Sequence, residues 1–150
     1  MTADAPRRLL LCAAALADQG RIVDRLSRPL TAAALIGLFV SPAISTTLPG
    51  VLIGAALLVA LAGLAETYFA IRVGFDAALF HQLVGASEGP DLAGTDAALL
   101  RLGLLPPTKQ GRPAEARVAG VTRLFRWQIL ALAAQVGSVL AGACLGFMWR

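Results

Sequence analysis

Three long apolar runs that contain almost no charge constrain this chain more than any other feature. The first, residues 30–48, has nineteen residues without a charged side chain. As a helix it would extend about 28 Å, enough to cross the hydrocarbon core of a bilayer. With 57% hydrophobic and only 15% charged residues, the 150-residue chain has more apolar surface than a water-soluble domain of this size could bury. We therefore predict an all-α integral membrane protein with three transmembrane helices.

The boundaries of the runs predict a hairpin and a separate third span. The first helix occupies 30–48, and the turn dipeptide Pro49-Gly50 follows it at once. The second occupies 50–71, and its helical pattern continues to about residue 84. The third occupies 127–149, with a tryptophan at each end where an interfacial ring is expected. The first two spans should thus form a tight outer hairpin.

The distribution of basic residues predicts the orientation of these spans. Arginines cluster before the first span and, with one lysine, before the third, whereas the hairpin turn has none. Since basic residues near span ends resist translocation, the amino terminus and the loop 85–126 should be cytoplasmic and the carboxyl terminus outside. The composition, rich in Ala, Leu, Gly and Arg, favours a bacterial inner membrane. A cleaved signal peptide over 1–17 is the rival interpretation, but it would leave Arg21, Arg25 and Arg28 outside.

The segments outside the spans are also expected to be helical. Residues 1–29 form an amphipathic cytoplasmic helix with Leu9, Cys12 and Leu16 on one side and a bend at Gly20. Such a helix lies in the headgroup plane or docks against another protein. The loop 85–126 contains short helices, one of them capped by Thr95, and is too small and broken to be an independent enzyme domain.

Glu66 is the most informative single residue. A carboxylate about 8 Å inside the expected membrane boundary costs several kcal/mol unless it is protonated or hydrogen-bonded. Gln135 lies at a comparable depth in the third span, so we expect Glu66 either to lie near the interface or to bond Gln135 or Thr31, and a bond to Gln135 would join the second span to the third. A role in a proton or cation path is the alternative. The structural role is favoured because one carboxylate without a matching polar lane makes a poor pathway.

Small residues at four-residue spacing mark one face of the third span. The predicted helix-packing interface consists of Ala134, Gln135, Ser138, Gly142 and Gly146. Such a stripe lets a second helix approach closely. Its partner is either another chain or a helix of the same chain, and both remain open. Around Pro42 in the first span, nearby hydroxyls suggest either an ordinary tolerated proline or the broken helix of a transporter.

No constellation of residues in the sequence supports catalysis or metal binding. His81 is the only histidine, and Cys12 and Cys144 lie at opposite ends of the chain. The basic residues adjoin apolar runs, which favours anionic lipid over nucleic acid. We predict a non-catalytic accessory or scaffold subunit of a bacterial inner-membrane complex, without a cofactor, whose partners are membrane lipids and either other membrane subunits or a second copy. The alternative is a small oligomeric transporter or ion channel that uses Glu66.

Overall fold

The computed structural model describes residues 4–44, 50–86 and 89–148, and in these ranges every regular element is helical. The predicted all-helical class is therefore confirmed. In chain order the elements are α1 (Asp4–Asp18), α2 (Gly20–Ile44), α3 (Gly50–Gly85), α4 (Leu92–Arg101), a 3-10 turn (Pro107–Lys109) and α5 (Ala114–Met148).

Helices α2, α3 and α5 pack side by side with a seven-residue repeat. In α5 each buried residue follows the one before it by seven positions, and they are Ala114, Val121, Gln128, Gln135 and Gly142. In α3 the buried positions Val59, Gly63, Glu66 and Val73 follow the same register at steps of three, four and seven. This spacing is typical of left-handed packing between neighbouring helices. Helix α3 runs antiparallel to the other two.

Helix α1 packs against the carboxyl-terminal half of α3 and the beginning of α5. Its buried side chains are Leu10, Ala13, Ala14 and Ala17, and they complete a core with Val73, Ala77, Phe80 and Val121. Polar contacts fasten the helix at both ends: Arg7 Nη2 donates to the Val84 carbonyl at 3.0 Å, and His81 Nε2 lies 2.8 Å from Asp18 Oδ2. Cys12 and Leu16, on the predicted apolar side, are exposed. The side of α1 that carries its buried alanines therefore contacts α3 and α5.

Several helix boundaries differ from the predicted segments. The helical break lies at Gln19, beside the predicted bend, and α2 then begins ten residues before the predicted first span. Helix α3 continues past Ile71 to Gly85, close to the predicted end of its helical pattern at about residue 84, and α5 begins at Ala114, within the predicted loop 85–126. The predicted turn residue Pro49, the hydroxyls at 45–47 and Trp149 lie outside the described residues.

The loop between α3 and α5 is ordered by its own polar contacts. Asp91, not the predicted Thr95, caps α4, because Asp91 Oδ1 accepts from the Gly94 backbone amide at 2.8 Å. Asp96 Oδ2 accepts from Gly111 N–H and from Arg117 Nη2, both at 2.8 Å. Burial opposes the charged form of Asp96, but the bonds from Arg117 and Gly111 outweigh it and lower the pKa of this carboxyl. The loop is thereby tied to α5.

The outer surface of the bundle is apolar over much of its length. Of the described helices, α3 and α5 are long and apolar enough to cross a membrane, with mean hydropathy of 2.0 and 1.9 in their most apolar stretches. Only 22% and 11% of those stretches is buried within the protein. Helix α2, described as far as Ile44, is not among them. The apolar residues of these two helices therefore face outward.

Candidate functional site

A cluster of polar side chains lies between α2, α3 and α5, where a soluble helical protein would place apolar residues. We call it the polar cluster; its members are Ser27, Thr31, Glu66, Gln128 and Gln135. All but Thr31 are fully buried. The seven-residue repeat places them there, since Glu66 in α3 and both glutamines in α5 occupy repeat positions that face the bundle interior.

Gln128 joins the carboxylate to the start of α2. Its Nε2 donates to Glu66 Oε1 and to the Gly20 carbonyl, both at 2.8 Å. Both amide hydrogens are thus used, which determines the orientation of the Gln128 side chain. Glu66 Oε2 and Gln128 Oε1 have no hydrogen-bond donor among the described residues. The protein therefore leaves two buried acceptors of the polar cluster without a donor within the described residues.

Gln135 forms the second half of the polar cluster, two turns after Gln128 in α5. Its Oε1 accepts from the Ser27 hydroxyl at 2.9 Å, and its Nε2 donates to Thr31 Oγ1 at 2.8 Å. The prediction that Glu66 bonds Gln135 or Thr31 is wrong in its partner, because Gln128, two turns earlier in α5, holds the carboxylate. The predicted joining of neighbouring helices by these residues is nevertheless present.

Two glycines make room for the polar cluster. A Cβ at Gly20 would lie 2.8 Å from Gln128 Oε1 and 3.1 Å from Val73 Cγ1. A Cβ at Gly63 would overlap Thr31 Oγ1 and lie 2.7 Å from Gln135 Nε2. Any larger residue at either position would displace a hydrogen-bonded side chain. The helices can approach closely enough to bury these polar groups because both positions lack a side chain.

The predicted small-residue stripe divides between two surfaces. A Cβ at Gly142 would lie 2.9 Å from Ala55 Cβ, and one at Gly146 would lie 3.3 Å from Leu52 Cδ2, so both glycines face α3 of the same chain. Ala134 is exposed, and the Ser138 hydroxyl bonds the Ala134 carbonyl at 2.8 Å. Only this half of the stripe is open to another molecule.

A small cavity adjoins the polar cluster between α2 and α3. Its volume is about 120 Å³, and its lining includes Gly20, Asp24, Arg28 and Thr67. Asp24 Oδ2 and Arg28 Nη2 form an ion pair at 2.6 Å beside it. Glu66 does not line the cavity, but Gly20 does, and Gln128 donates to the Gly20 carbonyl. Within the described ranges, no three His, Cys, Asp or Glu side chains converge as a metal site requires.

The sequence patterns that predict the spans and the stripe did not indicate Gln128, Ser27 or Gly20 as members or supports of this site. A signal for them exists: Gln128 and Gln135 are seven residues apart, and so are Gly20 and Ser27. Equal spacing on two helices predicts matched layers at the same heights of a bundle. The four-residue spacing of the stripe indicated a neighbouring face instead.

No protein-family model, curated protein or solved structure matches this chain.

Proposed function

We propose that this chain is a non-catalytic accessory or scaffold subunit of a bacterial inner-membrane complex, crossing the membrane through α2, α3 and α5. The observation that carries the proposal is the inverted polarity of the bundle. Glu66 is fully buried and hydrogen-bonded, whereas the apolar Leu61 and Ile71 on the same helix are 62% and 67% exposed. Exposing such an apolar surface is favourable in lipid and costs free energy in water.

The proposed orientation, with α1 and the loop before α5 in the cytoplasm, rests on the basic residues of those two segments. It is tested with the Cys144→Ser variant, which leaves Cys12 as the sole cysteine. Because Cys12 is exposed on α1, a membrane-impermeant maleimide should label it in inverted vesicles but not in intact cells. Labelling in intact cells alone would overturn the orientation.

The scaffold role draws support from the half of the stripe that none of the described helices covers. Ala134 is exposed on α5, and its small side chain would let a partner helix approach closely. The partner in this proposal is a transmembrane helix of another subunit or of a second copy. Packing of this kind needs no catalytic group.

Neighbouring alanines supply a matched test of that surface. Ala133 and Ala134 are both exposed and lie about 100° apart around α5. The tagged protein, extracted in mild detergent, should migrate as a defined complex in size-exclusion chromatography with light scattering. Ala134→Leu should reduce it to the single chain, and Ala133→Leu should not. A solitary monomer from the unaltered protein, with no copurifying subunit, would refute the scaffold role.

A second candidate, a small oligomeric transporter or channel, is favoured by the two unpartnered buried acceptors, Glu66 Oε2 and Gln128 Oε1. A buried carboxylate with an oxygen that lacks a donor could hold a translocated proton or cation. In reconstituted vesicles Glu66→Gln should then abolish flux, whereas Glu115→Gln, an exposed carboxylate in the first turn of α5, should leave it unchanged. Equal flux in both variants would eliminate this candidate.

A further inference from the structure

A second and larger cavity lies away from the polar cluster, between α3, α4 and the first part of α5. It has a volume of about 420 Å³ and is open on one side. Apolar side chains line it, among them Phe75, Leu79, Leu99, Leu104 and Leu124. Its charged lining consists of Arg72, Lys109, Arg112, Arg117 and Arg123 with a single carboxylate, Asp76. We call this cavity the basic groove.

The walls of the basic groove are held in place by contacts that use some of these charges. Arg117 is committed to the buried Asp96, and Arg112 Nε donates to the Lys109 carbonyl at 3.2 Å. The Lys109 ammonium and the Arg123 guanidinium have no hydrogen bond or ion pair within the described residues, and both side chains are exposed. The groove therefore presents two unpaired cations, and contacts of Arg117 and Arg112 hold its walls in place.

In the proposed membrane orientation, one end of the groove lies at the level of lipid headgroups. Its lining begins at Ile71, where the predicted second span ends, and includes Arg123, one turn before Trp127. Beside it, Leu102 and Leu104 are 70% and 53% exposed on the loop after α4. Exposed leucines next to unpaired cations are typical of a surface at the boundary between headgroups and acyl chains.

We propose that the basic groove binds the headgroup region of an anionic phospholipid, with its phosphate near Lys109 and Arg123, its glycerol region against the apolar lining and its acyl chains extending toward the membrane. The proposal rests on the membrane location proposed above, but not on the scaffold role. Charge complementarity selects an anion, since four cations remain against one carboxylate once Arg117 is paired with Asp96. The apolar lining selects an amphiphile, because an acidic peptide or a nucleic acid would leave those aromatic and aliphatic side chains exposed to water.

The test compares two double variants that remove the same charge. Lys109→Gln with Arg123→Gln alters the groove, and Arg101→Gln with Arg126→Gln removes two exposed arginines that do not line it. Each full-length protein is extracted from membranes in nonionic detergent and titrated with phosphatidylglycerol or phosphatidylcholine, and retained lipid is counted by native mass spectrometry. Circular dichroism checks that the helical content of the variants is unchanged.

The unaltered protein should retain one phosphatidylglycerol in preference to phosphatidylcholine. Each cation near an anionic headgroup contributes about fivefold, so the groove variant should bind about thirtyfold more weakly, and the matched control should bind as the unaltered protein does. Equal losses in both variants would overturn the proposal, because they would indicate general surface attraction. The proposal would also be overturned if the unaltered protein bound a polyglutamate peptide and the groove variant lost as much affinity for that peptide as for phosphatidylglycerol.

The same preparation separates this proposal from the ones on which it rests. A chain found in the soluble fraction would refute the membrane location. A chain extracted from membranes that shows no preference for phosphatidylglycerol would refute the lipid site alone. The scaffold role is untouched by either titration, since lipid retention is measured on the purified chain.

Discussion

Gly63→Ala should destabilise the bundle, although alanine is the better helix former. The added methyl would overlap Thr31 Oγ1 and lie 2.7 Å from Gln135 Nε2, so the two side chains must separate and their 2.8 Å hydrogen bond must break. Overpacking costs about 1–3 kcal/mol and a buried amide without its partner about 1–3 kcal/mol, while the helix propensity of alanine returns about 1 kcal/mol. The expected loss in the free energy of unfolding is about 3 kcal/mol.

Gly74→Ala is the matched control, because it makes the same substitution in the same helix. Apart from its chain neighbours and the nearby backbone of its own helix, no atom lies within 4 Å of the Cβ position at Gly74, so alanine should stabilise the protein by about 0.5–1 kcal/mol. Unfolding is followed by circular dichroism in mixed detergent micelles with increasing denaturing detergent. The two glycines should thus shift the midpoint in opposite directions.

A double variant tests the cause of the loss. Thr31→Ala removes the oxygen that the new methyl would overlap, so its effect and that of Gly63→Ala should not add. We expect a coupling of about 1 kcal/mol or more. If Gly63→Ala is neutral or stabilising, or if the two effects add, the close approach of α2, α3 and α5 at the polar cluster is not as described.

The remaining predictions concern the other polar contacts. Gly20→Ala should lower the free energy of unfolding by about 1–3 kcal/mol, because its methyl would press on Gln128 Oε1, and the same titration measures this. Glu66→Gln should change the free energy of unfolding by less than about 1 kcal/mol, since its amide oxygen still accepts from Gln128. Glu66→Leu should lower the free energy of unfolding by about 1–3 kcal/mol. Equal effects of the two variants would contradict the hydrogen bond. The lowered pKa of Asp96 means that the unfolded chain binds more protons there, so its contribution to stability is complete above a pH of about 4 and is lost as the pH falls further. The variant Arg117→Gln should flatten that acid limb in pH-dependent unfolding, and an unchanged limb would contradict the ion pair.

The helical class was predictable because hydrophobic runs of this length have few alternatives. A backbone surrounded by apolar side chains must satisfy its own hydrogen bonds, and a helix does so locally. The same reasoning singled out Glu66 and Gln135 as costly polar residues that need partners inside the bundle. Glu66 and Gln135 do lie inside the bundle, but the predicted partner of Glu66 was wrong.

The partners of those residues depend on how the helices align. Glu66 meets Gln128 rather than Gln135 because α3 and α5 run antiparallel in one particular register, and a shift of two turns would exchange the glutamines. Asp96 could not be assigned to Arg117 either, since a loop of folded chain separates them and only its closure brings them together. Register and closure arise from packing of the whole chain.

The sequence by itself determined that the protein is helical, apolar outside its basic segments, and in need of buried partners for its few polar groups, because these properties follow from composition and local hydrogen bonding. Only the tertiary structure decided that α1 packs on the bundle and that Gly20 and Gly63 leave space for polar side chains of neighbouring helices. It also decided that four arginines and a lysine from distant parts of the chain line one groove. Those outcomes depend on contacts between residues far apart in the chain, and no local pattern specifies them.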